Sequence, residues 1–271
     1  MNVERWELNV ISGFTWELSV ITLSSFSPPS GETARVLGLG ERHLNFVYEK
    51  KRYCYLLYMN FEELVKLTGE LPCFDLPLVV QATDDSRESV RVQLSRWMAQ
   101  GRVIGLRRGV YTLSETYRRA PMIPVALARH LYTPSYLSGL WALGYYDLIP
   151  ERVVWLTSVT PRVPRRFENP FGVFDYQNIK QEAFFGYRTA TQSGAEMLVA
   201  EPEKALLDHW HLTAGEWTAD RLAEMRYQNS HGIDAARLQT YAVRFRSPRL
   251  VRTVRRWLSL AAIADEGTVT L

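Results

Sequence analysis

Residues 86–113 read SRESVRVQLSRWMAQGRVIGLRRGVYTL, and the reading of this stretch decides the fold. Val90, Leu94, Trp97 and Met98 fall at i, i+4, i+7 and i+8, which is one apolar face of an α-helix running from about Ser86 to Gln100. Gly101 is its C-terminal stop. Two β-prone runs follow, Val103-Ile104 and Val110 to Leu113. Arg107-Arg108-Gly109 lies between them, with a glycine where a tight turn needs positive φ. Upstream, Phe61, Leu64, Val65 and Leu67 predict a short amphipathic helix ended by Gly69 and Pro72. Asp75 is suited to cap a second short helix with Pro77 in its first turn, and Thr83-Asp84-Asp85 reads as a turn. Helix, helix, helix, hairpin over residues 59–115 predicts a winged helix-turn-helix. In that arrangement the third helix enters the DNA major groove and the hairpin lies along the backbone.

Arg118, Arg119 and Pro121 read as the exit from this unit, and a larger mixed α/β domain is expected over 120–271. The fold class is therefore α+β. In the second domain Val125–Arg129 reads as helix. Thr133-Pro134-Ser135 caps a helix carrying Leu137, Leu140, Trp141, Leu143 and Tyr145. Strands are expected at Val153–Ser158, Phe171–Tyr176, Ala183–Tyr187 and Ala195–Ala200. Helices follow from Pro202, at Asp220–Arg226, at Asp234–Phe245, and from the cap Ser247 to Ala262. The last has an apolar stripe of Leu250, Val254, Trp257, Leu258 and Ala261. Residues 1–58 have no sustained period. They are expected to be an N-terminal extension upstream of a natural start at Met59.

The chain has 271 residues, 46% hydrophobic and 23% charged, enough to build a sizeable core without disulfides or metals. Two cysteines, Cys54 and Cys73, lack Cys-x-x-Cys spacing, and no Cys/His cluster has zinc-ligand spacing. His209 and His211 fall in a helical pattern and read as structural. No apolar run is long enough to span a membrane. Glu4 and Glu7 stand where a signal peptide carries positive charge. A cytoplasmic location is expected. There is no Gly-rich phosphate loop, Gly-x-Ser-x-Gly or metalloprotease motif, so neither a cofactor nor enzymatic activity is expected.

The net charge is only +3, but its distribution is uneven. Eight arginines against four acids leave residues 84–119 at +4. Arg87 and Arg91, one turn apart at the start of the third helix, suit two-pronged pairing with guanine. Ser86, Ser89 and Arg96 could support them through phosphates or bases, and Arg107 and Arg108 at the hairpin tip suit phosphate contact or the minor groove. A second set, Arg237, Arg244, Arg246, Arg249, Arg252, Arg255 and Arg256, carries +7 over residues 237–256 with no acid between them. It reads either as a solvated helix face or as an electropositive surface for an acidic partner or nucleic acid, with Arg249, Arg252, Arg255 and Arg256 on one helix. Glu201, Glu203, Lys204 and Asp208 after a strand raise a metal-dependent nuclease. Helix capping and an i,i+4 pair between Lys204 and Asp208 account for the same residues.

Several segments together resemble the AbiEi-type antitoxins, described as transcriptional regulators of abortive phage defence. They are Arg107-Arg108-Gly109-Val110-Tyr111, Pro134-Ser135-Tyr136-Leu137-Ser138, Leu148-Ile149-Pro150-Glu151, Val154-Trp155-Leu156-Thr157-Ser158, Phe184-Phe185-Gly186-Tyr187 and Ala200 to Asp208. The resemblance runs over about residues 59–260, and residues 1–58 match nothing in it. It implies an N-terminal winged helix that binds inverted repeats in its own promoter and represses the operon. It also implies a C-terminal domain that counters an AbiEii-type nucleotidyltransferase toxin. In the best-studied branch of the family the two proteins form no stable complex. The rival readings are a winged-helix transcription factor without a toxin, a metal-dependent nuclease using Glu201, Glu203 and Lys204, and a pure protein-interaction module.

Overall fold

Asn60 opens the first helix, α1 (Phe61–Thr68), with a reciprocal cap: its side chain accepts from Glu63 N at 2.9 Å while Glu63 Oε2 accepts from Asn60 N at 2.9 Å. The computed structural model describes residues 59–83 and 85–268. The expected extension 1–58 and Asp84 lie outside the described residues. Asp75 accepts from Leu78 N at 3.0 Å and so caps α2 (Leu76–Thr83). Ser86 caps α3 (Arg87–Ala99), its Oγ accepting from Ser89 N at 3.1 Å. Val90, Leu94 and Trp97 are buried, as the spacing requires, but Met98 is 36% exposed and leaves the apolar face.

The expected hairpin is β2 (Val103–Arg107) and β3 (Val110–Leu113), paired antiparallel, with Gly109 at φ +79° in the turn. A short strand, β1 (Phe74–Asp75), pairs with β3 and completes a three-stranded sheet in the order β1-β3-β2. Sequence periodicity gave no sign of β1, because two residues cannot show a period.

Further along come α4 (Pro124–Leu131), β4 (Tyr136–Leu137), α5 (Gly139–Tyr145), β5 (Leu156–Thr160), β6 (Arg165–Asn169) and β7 (Gly172–Asn178). A 3-10 turn at Gln181–Ala183 leads to β8 (Tyr187–Gln192) and β9 (Ala195–Ala200). The chain then forms α6 (Pro202–Leu212), α7 (Ala219–Glu224), α8 (Ala235–Arg244) and α9 (Pro248–Thr268). The six longer-range strands form one mixed sheet, β6-β7-β5-β4-β9-β8.

Several expectations change: Thr133-Pro134-Ser135 opens no helix, since α5 begins at Gly139, and the strand expected at Val153–Ser158 lies at Leu156–Thr160. Leu137 lies in β4 rather than in a helix, because Tyr136 and Leu137 are held between β5 and β9. Ala183–Tyr187 is not a strand: a 3-10 turn ends at Ala183 and β8 begins at Tyr187, after Gly186 at φ +68°. β6 was not expected, since RRFEN has only one apolar residue.

Helices cover both faces of the sheet. Tyr176 on β7 donates to the Ala128 carbonyl of α4 at 2.6 Å, and Tyr136 on β4 donates to Asp208 of α6 at 3.1 Å. Tyr136 stands opposite Val159 and Tyr176 opposite its neighbour Ser158, so strand alternation puts the two tyrosines on opposite faces. The described residues belong to one compact unit with two apolar cores. Leu64, Val79, Leu94 and Val103 belong to the smaller core, whereas Leu106 and Val110 of the hairpin belong to the larger. Among the described residues no helix is long and apolar enough to cross a membrane.

Candidate nucleic-acid interface

Ser86 terminates the loop before α3, so Arg87 and Arg91 stand on the first two turns of a capped helix. Both line an open groove of about 620 Å³ whose other wall is the hairpin, with Gly105, Arg107, Arg108 and Gly109. Four arginines, two from the helix and two from the hairpin, thus line one concavity. Glu168 of β6 is the single acid in its lining. Arg91 also reaches Glu88 at 3.2 Å, both side chains more than half exposed, so this pair is weak and readily exchanged for a phosphate or base.

The supporting residues divide. Ser86, Ser89 and Arg96 line a separate depression of about 360 Å³, outside the lining of the arginine groove. The Ser86 oxygen already accepts a helix bond. Arg107 is not a free tip residue: its Nε donates to the Leu131 carbonyl of α4, another of its nitrogens donates to the Arg108 carbonyl at 3.0 Å, and its guanidinium lies over Phe167 at 5.9 Å. It fastens the hairpin to the larger sheet, and Arg108 is left as the exposed cation of the turn.

Three of the four arginines expected on α9 have partners within the chain. Arg249 donates to the carbonyls of His211, Thr213 and Gly215 at 2.8, 3.0 and 2.6 Å, satisfying the C-terminal end of α6. Arg252 and Arg256 both pair with Glu216, and Arg256 also donates to Trp217 O at 2.9 Å. Arg255 has no such partner among the described residues and remains exposed. Spacing alone could not reveal this, because the acceptors are carbonyls and one glutamate some forty positions away in sequence.

Glu201, Glu203, Lys204 and Asp208 do not converge on an open site. Lys204 and Asp208 are fully buried and paired, one turn apart as the spacing suggested. Lys204 Nζ also donates to Tyr136 Oη at 2.8 Å, and Ser138 Oγ donates to Asp208 at 2.7 Å. Burial pushes the Lys204 ammonium below its ordinary pKa against the pull of Asp208, and burial beside Asp208 pushes the Tyr136 phenol up. Glu203 accepts from Asp234 N at 2.9 Å at the start of α8, and Glu201 accepts from Tyr241 Oη at 2.6 Å. Tyr136 and Ser138 are the members that sequence reasoning missed as partners. Their link to Asp208 spans about seventy residues.

Comparison with family models and with curated proteins finds no match to this chain.

Proposed function

We propose that this chain is a DNA-binding transcriptional regulator of the winged helix-turn-helix type, acting as autorepressor and antitoxin in the manner of the AbiEi-type proteins it resembles. The observation that carries the DNA reading is the single groove shared by Arg87 and Arg91 of α3 and by Arg108 of the hairpin. α3 enters the major groove with Arg87 and Arg91 toward base edges, and Arg108 takes a backbone phosphate. Ser86 holds the helix end and Arg107 holds the hairpin, so both act through position. Ser89 and Arg96 serve a flanking phosphate. The partner toxin and the repression of its own promoter rest on the resemblance of about residues 59–260 to that family. Operator DNA in inverted repeats is the expected target.

The test is a titration of the purified chain on its own upstream DNA at several salt concentrations, beside a random duplex. Preference for the upstream DNA is expected, with loss of that preference in Arg87→Ala/Arg91→Ala. Arg108→Ala is expected to weaken both duplexes alike and to reduce the salt slope by about one. Equal weak binding to both duplexes overturns the regulator and favours a protein-interaction role for the same surface.

A further inference from the structure

We propose that the cleft between the Gln181–Ala183 turn and the α8–α9 junction binds the phosphate group of a small phosphorylated ligand. The cleft has a volume of about 460 Å³, within the roughly 300–1,000 Å³ usual for small-ligand sites. Three cations from separate places in the chain line it: Lys180 before the turn, Arg244 at the end of α8 and Arg246 in the junction. Glu182 is the single acid, which leaves an excess of two positive charges, the charge of a phosphate monoester dianion.

Among the described residues none of these three cations has a carboxylate partner within 4 Å, whereas Arg237, Arg252 and Arg256 on the same two helices do. The Arg244 guanidinium lies 3.8 Å from the Phe185 ring centroid. A guanidinium stacked on a ring keeps its N–H donors in its own plane, ready for a phosphate beside it. Arg246 holds φ +52°, a conformation disfavoured for a non-glycine residue, at the turn that brings it to the cleft. Ser247 and Pro248 begin the 21-residue α9, so the positive end of a long helix dipole opens to the same space. His211, also in the lining, has a buried Nδ1 without a hydrogen-bond partner among the described residues. The cleft shares no lining residue with the arginine groove. A concave site of this size suits a compact phosphate ester better than the convex backbone of a duplex.

Calorimetric titration of the full chain with ATP, inorganic pyrophosphate and inorganic phosphate tests the assignment. Saturable 1:1 binding of ATP or pyrophosphate is expected, tighter than inorganic phosphate. The affinity should fall at least tenfold in Arg246→Gly and in Lys180→Gln and stay unchanged in Arg87→Ala/Arg91→Ala. Arg246→Gly removes the cation while easing the positive φ, and thermal melting verifies that each variant folds. Absence of saturable binding, or affinities unchanged in both cleft variants, overturns the site. If ATP and pyrophosphate do not bind while both variants weaken binding of a random duplex, the phosphate is that of nucleic acid and the small-ligand assignment fails.

Discussion

At the scale of single residues, burial governs the titrating groups. Burial, with a smaller contribution from Arg221, lowers the pKa of His209 from 6.5 to about 4. Its folded-state value lies below its unfolded value, so as pH falls the unfolded chain takes up the proton first. The stability that neutral His209 contributes is complete above about pH 6.5 and is lost progressively toward pH 4, by at most about 3 kcal/mol. His130 and His211 shift in the same direction, again chiefly through burial. Urea unfolding at pH 7 and pH 4.5 is expected to show this loss, with a shallower dependence in His209→Phe, which retains an aromatic ring against Trp217. Equal losses in both proteins would place the acid sensitivity elsewhere.

At the scale of elements, the buried Lys204–Asp208 pair pins α6 to β4 through Tyr136 and Ser138. A buried pair adds little over a well-packed apolar substitute, yet removing one partner strands the other charge, at about 3–5 kcal/mol. Lys204→Met is therefore expected to lower Tm by about 10 °C in thermal unfolding, taking roughly 2–4 °C per kcal/mol for a unit of this size. Lys204→Met/Asp208→Leu should melt above the single variant despite having two changes. A single variant melting with the parent would show that the pair contributes nothing to holding α6 on the sheet. The i,i+4 spacing made this contact legible beforehand. Its depth in the core was not, since lysine and aspartate are rarely buried completely.

At the scale of the molecule, the hairpin couples the two cores. Leu106 and Val110 pack in the larger core while their neighbours Val103 and Leu113 pack in the smaller, and Arg107 ties β2 to α4. Native-state hydrogen exchange of the full chain is expected to give similar opening free energies for β3 and β7. Leu106→Ala is expected to lower both by about 2–4 kcal/mol. A loss confined to β3 would show that the two cores open independently.

The sequence by itself located the helix starts at Asp75, Ser86 and Ser247, because capping residues, prolines and the 3.6-residue apolar period act over a few positions; it opened α5 too early, at Thr133-Pro134-Ser135, where the chain instead enters β4. It also placed Arg87, Arg91 and Arg108 on a helix start and a hairpin turn. Only the tertiary structure decided which arginines remain available. Arg107, Arg249, Arg252 and Arg256 are engaged by carbonyls and a glutamate distant in sequence, while Arg108 and Arg255 stay exposed. The same holds for β1, β4 and β6. Strands of two residues, or strands made mostly of polar residues, exist through pairing with partners brought alongside by the fold, and such partners leave no local signal.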